Sequence, residues 1–300
     1  MEHIWINGSF MTEDAAYPKC TALYSKNGII MAMGTDEEIL SLKSKDNVEV
    51  TDLQGGFVLP GFIDSHMHLL EYAQQESFVH LNDARSLDDV IDMCREKIEW
   101  AKTNNKWIRA IGFNQDDWDV KKIPTRRELD RISKEVPITI RRACLHISVC
   151  NTLAMERMGL LDDQPIDNPE NFDHYEDGSL NGIIRETSQF KIEEAFPPLT
   201  KDEIKEFIVD GCTKAAAAGI VEIQTDDFHS AAGDHGELIM EAYRELAHDG
   251  KLPVRIYEQC YLENEDGLDS FLKNGHYTGE DHGLFRIGPL KVVMDGSLGS

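Results

Sequence analysis

The chain has 300 residues, 41% hydrophobic and 28% charged, enough apolar material for one large domain or two smaller ones. Lys and Arg total 30 against 55 Asp and Glu, a formal net charge of −25. Such a surface repels phosphate backbones and anionic lipid, which argues against nucleic-acid and membrane-surface partners and leaves a small-molecule substrate as the expectation.

The opening residues Met1-Glu2-His3-Ile4-Trp5-Ile6 show no basic segment leading into an apolar one. No apolar run reaches the ~18–20 residues of a membrane span. The six cysteines (Cys20, Cys94, Cys144, Cys150, Cys212, Cys260) include no C-x-x-C pair and read as reduced packing residues of a cytoplasmic protein.

Residues 1–58 read as a small β-unit. Thr21–Ser25 and Ile29–Met33 flank the turn Lys26-Asn27-Gly28, and Val48–Val50 precedes Gly55-Gly56. The Asn-Gly and Gly-Gly dipeptides supply the positive φ angles of tight hairpins.

From residue 59 the pattern turns to strands alternating with helices, the mark of βα units around a parallel sheet. Phe57–Ile63 is a short apolar run that reads as a buried strand entering the core. Ser86 with Asp89 opens a helix whose apolar positions run from Leu87 to Ile98. Trp107–Gly112 and Ile138–Arg142 read as strands, and Leu161–Gly182, polar and rich in Asp and Pro, as a surface loop. Thr200 with Glu203 caps a helix with Ile204, Phe207, Ile208 and Cys212 on its apolar face. Ile220–Ile223, Val254–Tyr257 and Leu290–Met294 are further strands, with a helix over Leu238–Leu246 that stops at Gly250.

One segment carries chemistry. In Gly61-Phe62-Ile63-Asp64-Ser65-His66-Met67-His68 the two histidines stand two apart, so on a strand both imidazoles share a face and can reach one metal ion. A bare pair of this kind also arises by chance in a chain with 11 histidines. Its setting strengthens it: Pro60-Gly61 ends a loop, and Asp64 is placed to orient a ligand from behind. His80, His174, His229, His235, His248, His276 and His282 have no partner at ligand spacing and read as surface or structural residues.

Leu59–His68 closely resembles the first-strand metal motif of the amidohydrolase superfamily, and the chain as a whole resembles its amidohydrolase-3 branch, which includes N-substituted formamide deformylase-like enzymes. Asn27–Gly34, Gly112–Trp118, Arg142–His146 with Asn151–Met155, and Lys291–Ser300 are similar to four further blocks of that branch, in the same order. The resemblance implies a (β/α)8 TIM-type barrel, incomplete in this chain, with a small N-terminal β-sandwich portion over residues 1–58 and an inserted loop or subdomain at about residues 70–185. It implies a divalent metal, zinc, as one or two ions, with His66 and His68 as ligands. Lys291 matches a strand lysine that can be carboxylated to bridge two metals; a free ammonium beside a dication would be repelled. The other reading of Lys291 is a strand-end lysine reaching solvent.

His146 matches a histidine near the substrate pocket, and is otherwise a satisfied core or rim residue. Asp295, with the turn Gly296–Gly299, is expected to shape the pocket floor, unless it is an ordinary strand-to-loop turn. Trp118 and Gln115 are weaker substrate-contact candidates. The branch's remaining ligands and its catalytic Asp lie beyond the segment at which this sequence ends, so no catalytic residue is expected within the chain. The barrel would hold about half to five-eighths of its strands. The expected protein is therefore part of a longer metal-dependent amidohydrolase, inactive by itself, that cleaves an amide-type C–N bond in an N-acyl or N-formyl substrate; it could form a homo-oligomer. The rival readings are a deaminase or cyclic-amide hydrolase of the same superfamily, and a non-catalytic half-barrel.

Overall fold

The computed structural model describes residues 1–16, 19–43, 48–162, 165–228, 230, 236–262 and 265–292. The chain divides into two units, one of Met1–Ile63 with Gly219–Val221 and a second of Asp64–Ala218 with Glu222–Ser300.

In the first unit, strands Ile29–Gly34, Ala22–Lys26, Glu2–Ile6 and Glu49–Asp52 form one sheet in that order, and Ser9–Phe10 pairs with Phe57–Val58 in a second. Asn27 and Gly28 turn the first hairpin with φ of 53° and 80°, the pair of positive angles that the Asn-Gly dipeptide accepts at least cost. Ile4, Ala22, Ile39 and Val48 make its small core. The apolar run Phe57–Ile63 is not one strand. It breaks at Leu59–Gly61, and Phe62 and Ile63, expected in the core, are more than half exposed. Their strand, Phe62–Met67, lies at the edge of its sheet, where neither face is fully covered.

The second unit holds two sheets. Five strands run in the order Asp281–His282, Phe285–Lys291, Arg255–Tyr261, Ile220–Thr225 and Phe62–Met67. Ile220–Thr225, Arg255–Tyr261 and Phe285–Lys291 are parallel, with helices Gly236–His248 and Glu265–Lys273 in the connections. The last strand starts earlier than expected, at Phe285; residues 293–300, which include Met294 and Asp295, lie outside the described residues.

The strands at Ile108–Phe113 and Ile138–Arg142 do not join that sheet. They form a mixed six-stranded sheet, ordered Phe172–His174, Leu180–Arg185, Ile147–Cys150, Ile138–Arg142, Ile108–Phe113, Val79–His80. Its main core gathers Val90, Ile91, Cys94, Phe113, Leu129 and Ile138. Short apolar strands look alike in either sheet, because periodicity reports burial and not which neighbour does the burying. Part of the expected loop 161–182 is also ordered: Phe172–His174 pairs with Leu180–Arg185, and Arg185 clamps Asp173 with two hydrogen bonds of 2.8 and 2.7 Å. The helix begun at Ser86 ends at Arg95, where Lys97 N turns back to Cys94 O (3.1 Å), and Ile98 starts a new one.

The helix after His66-Met67-His68 is Leu69–Glu76, and it lies against Lys201–Ala217, whose Thr200–Glu203 capping box is formed as expected. Gly211 makes the approach possible. A Cβ there would stand 2.8 Å from Leu69 Cδ1 and 3.3 Å from Ala73 Cβ. Glycine within a helix costs about 1 kcal/mol, so its value here lies in letting Leu69 and Ala73 seat directly on the backbone. Among the described residues no helix is long and apolar enough to cross a membrane.

Candidate metal centre

His66 lies near the end of strand Phe62–Met67, and His68 is the residue that caps helix Leu69–Glu76. Their imidazoles meet edge to face, centroids 5.3 Å apart at 74°. Asp64 does not reach an imidazole; its Oδ1 accepts from the backbone N–H of His66 at 3.1 Å, fixing the strand end that carries the pair.

His68 offers no side-chain cap to its helix, so the first N–H groups of that helix need other acceptors. They find them at the end of the neighbouring strand: Leu69 N donates to Thr225 Oγ1 and Leu70 N to Asp227 Oδ1, both at 2.9 Å and both buried. Between these two, Asp226 turns the other way. Its fully buried carboxylate lies 2.7 Å from His68 Nδ1 through Oδ1 and contacts Lys291 Nζ through Oδ2. Three consecutive residues, Thr225-Asp226-Asp227, thus hold the helix and the metal-motif histidine together.

The sequence reading missed this triplet, although its signal was available. Two adjacent acids directly after the apolar strand Ile220–Ile223 sit where βα folds place their chemistry.

Below lies a second pair of buried acids. Asp227 Oδ2 accepts from the Tyr243 hydroxyl, and Tyr243 stacks on Phe285 with centroids 5.0 Å apart. Glu258 Oε1 accepts from Asp227 N at 2.8 Å, and the backbone N–H of Phe228 also faces this carboxylate. Burial, reinforced by the charge of Asp227, holds the Glu258 carboxyl well above the ordinary range; burial also raises Asp227, opposed by its hydrogen bonds. A carboxyl whose folded value is raised contributes stability in full below its unfolded value, and that contribution is lost as pH rises toward the folded one. Stability should therefore fall as pH climbs from about 5 through neutrality. Glu258→Gln keeps an oxygen for Asp227 N and removes the charge. Its unfolding free energy is expected to match the native chain at pH 5 and to equal or exceed it at pH 8. A variant weaker than native at pH 8 in urea titrations would contradict this assignment.

Lys291 ends strand Phe285–Lys291, which two intervening strands separate from Phe62–Met67, and its reach to Asp226 is what joins it to His68. Burial pulls its ammonium below the ordinary lysine value.

The other candidates lie elsewhere. His146 precedes strand Ile147–Cys150, with Nδ1 3.0 Å from Glu186 Oε2 and its side chain 67% exposed. Trp118, expected at the substrate, is a core residue: it is 3% exposed, it donates from Nε1 to Ala84 O at 3.1 Å, and it packs on Phe113. Gln115 is buried and accepts from Arg142 Nε at 2.9 Å, in a loop that Arg142 also ties through Asn114 and Asp116. These contacts give the Gly112–Trp118 block a structural purpose. Asp295 lies outside the described residues, as do His229 and His235.

The donor set can be tested for fit. Two imidazole nitrogens at about 2.0–2.1 Å from one tetrahedral ion bring their ring centroids to roughly 5 Å, and those of His66 and His68 stand at 5.3 Å. Asp226 Oδ1 stands 2.7 Å from His68 Nδ1, the place a carboxylate takes behind a metal-binding histidine. Among the described residues no group of three or more His, Cys, Asp or Glu side chains forms a cluster able to hold an ion. The fit is thus a two-imidazole hold with Lys291 beside it.

Comparison with known proteins agrees on the class. A solved metal-dependent hydrolase from Pyrococcus horikoshii OT3, uncharacterised in function, superposes with a TM-score of 0.77 at 25% identity, over 100% of this chain and 56% of that one. The Bacillus subtilis (strain 168) amidohydrolase-type protein YtcJ is 25% identical over 300 residues, 100% of this chain and 55% of its own. The N-substituted formamide deformylase of Arthrobacter pascens is 29% identical over 157 residues, 52% of this chain and 29% of its own. The sequence model of the amidohydrolase family matches residues 49–300, and the chain belongs to that family. It spans about half the length of YtcJ (55%) and of the Pyrococcus hydrolase (56%).

Proposed function

We propose that the protein of which this chain forms the whole or a part is a metal-dependent hydrolase of an amide-type C–N bond in an N-acyl or N-formyl substrate. The observation that carries this reading is the meeting of His68 and Lys291 on the buried carboxylate of Asp226, with the His66 ring 5.3 Å from that of His68. The strands Phe62–Met67, Ile220–Thr225, Arg255–Tyr261 and Phe285–Lys291 are then the first part of a (β/α)8 barrel, and residues 1–58 part of a β-sandwich.

His66 and His68 would hold a divalent cation, zinc by the chemistry of imidazole donors, as one ion or the first of two. When bound, such an ion supplies Lewis acidity and lowers the pKa of water toward ~7. Asp226 keeps His68 in the donor tautomer and holds Lys291 in place. Burial favours the neutral amine of Lys291, the form that can add CO2 with loss of a proton to become an anionic carbamate ligand. The family match and the likeness to the formamide deformylase support the bond class. A non-catalytic scaffold is the competing reading, favoured by the lack of a third His, Cys, Asp or Glu ligand among the described residues.

Zinc titration of the chain in bicarbonate buffer, followed through the histidine ring resonances, tests the metal hold. The signals of His66 and His68 should move, and those of the exposed His146 and His248 should move far less. Unmoved His66 and His68 signals at millimolar zinc would reject the reading. A panel of N-formyl amides, N-acyl amino acids, cyclic amides and aminated heterocycles then assigns the bond.

A further inference from the structure

The six-stranded sheet carries a positive charge that nothing in its surroundings explains. Arg109, on strand Ile108–Phe113, places its guanidinium carbon over the rings of both Phe78 and Phe196, 4.1 Å from each centroid. Phe196 is held in turn by the edge-to-face contact of Trp107 at 5.0 Å. Yet among the described residues the guanidinium makes no hydrogen bond and no ion pair. Aromatic faces do not satisfy N–H groups, and Arg has five, all in the plane of the fork. Burial lowers its pKa to about 10, and the charges of Glu193 and Glu71 offset that only in part.

The group borders open space. Two cavities, of about 440 and 460 Å³, share Arg109, Phe78 and Phe196 in their walls, and each is of the size that takes a small organic ligand. His66, His68, Asp226 and Lys291 line neither. Of the nearby acids, Glu193 faces Arg141 at 3.8 Å and Glu71 accepts from Gln75 at 3.1 Å, and among the described residues neither makes an ion pair with Arg109.

We propose that Arg109 is the anchor of a second binding site, one that takes the carboxylate of a small monocarboxylic acid with an apolar body. A planar fork with free in-plane donors matches a two-oxygen acceptor. Phe78, Phe196, Ile192 and Leu199 supply apolar wall for the rest of the ligand. Glu71 and Glu193 in the same wall set the charge limit, since a dianion such as phosphate meets two negative groups that a monoanion tolerates better.

Benzoate, benzamide and inorganic phosphate are the probes, titrated by calorimetry into the metal-free chain, so that the metal reading plays no part in the result. Benzoate is expected to bind at millimolar affinity or tighter, at least ten-fold better than its neutral isostere benzamide and than phosphate. Arg109→Met, which keeps an unbranched side chain between the rings, should weaken benzoate at least ten-fold, and Arg109→Lys should also weaken it by losing the fork. The Arg109 Nε–H resonance of the native chain should shift with benzoate and not with benzamide, a reading that stands even if a variant fails to fold. Absence of benzoate binding, equal binding of benzamide or phosphate, or an Arg109→Met variant with undiminished affinity would each overturn the site.

Discussion

Asn151→Ala is expected to destabilise the chain by on the order of 3–5 kcal/mol, a large effect for a single polar substitution. The side chain is fully buried and makes four hydrogen bonds. Its Oδ1 accepts from Ile138 N at 3.0 Å, starting a strand, and from Ala154 N at 2.9 Å, capping helix Thr152–Arg157. Its Nδ2 donates to Ser133 O and Val136 O, both at 2.9 Å. Alanine leaves two donors and two acceptors without partners in the core, each costing about 1–3 kcal/mol where water cannot replace the bond. Asn151→Asp retains the two accepted bonds but turns a carboxylate oxygen on the carbonyls of Ser133 and Val136, so at neutral pH it should cost at least as much as alanine. Urea unfolding followed by circular dichroism measures the difference. A loss under about 1 kcal/mol for alanine would mean the loop Ser133–Val136 relaxes to let water in.

Asp226→Asn is expected to weaken zinc binding by about 10–100-fold while leaving the fold intact. The amide occupies the same volume, but it no longer holds a negative charge between His68 Nδ1 and Lys291 Nζ. His68 becomes a poorer donor and loses the preference for its metal-ready tautomer. Lys291 loses its counterion in a partly buried place, so Asp226→Asn should depress the Lys291 amine pKa further. Competition with a chromophoric chelator gives the zinc constant, and the melting temperature controls for folding. An unchanged constant would show that Asp226 serves the protein framework alone.

The closeness of His66 and His68 was legible because it is local: on an extended backbone residues two apart share a face, and the structure finds the two rings 5.3 Å apart. Asp226 was not legible in the same way. Its role depends on a strand some 160 residues later coming to lie beside the first, and no spacing rule announces that pairing. Trp118 and Gln115 illustrate a different limit. A loop that ends in Trp resembles a substrate loop in sequence, yet whether the indole faces a ligand or a core is decided by Ala84 and Phe113, which periodicity does not reveal. The six-stranded sheet was visible as separate strands, while their grouping followed from antiparallel partners at Ile147–Cys150 and Leu180–Arg185.

The anchoring of helix Leu69–Glu76 by Thr225 and Asp227 also sets a clock. Leu70 and its acceptor are separated by 157 residues, so the scaffold under His68 stays incomplete until that length of chain has been made. At roughly 5–20 residues per second of synthesis, that interval is on the order of 8–30 s. Throughout it the start of that helix lacks its two buried side-chain acceptors. Only when Ile220–Thr225 docks does Asp226 arrive beside His68, so the setting of that imidazole belongs to the late stage of folding, after the chain has committed to its sheet.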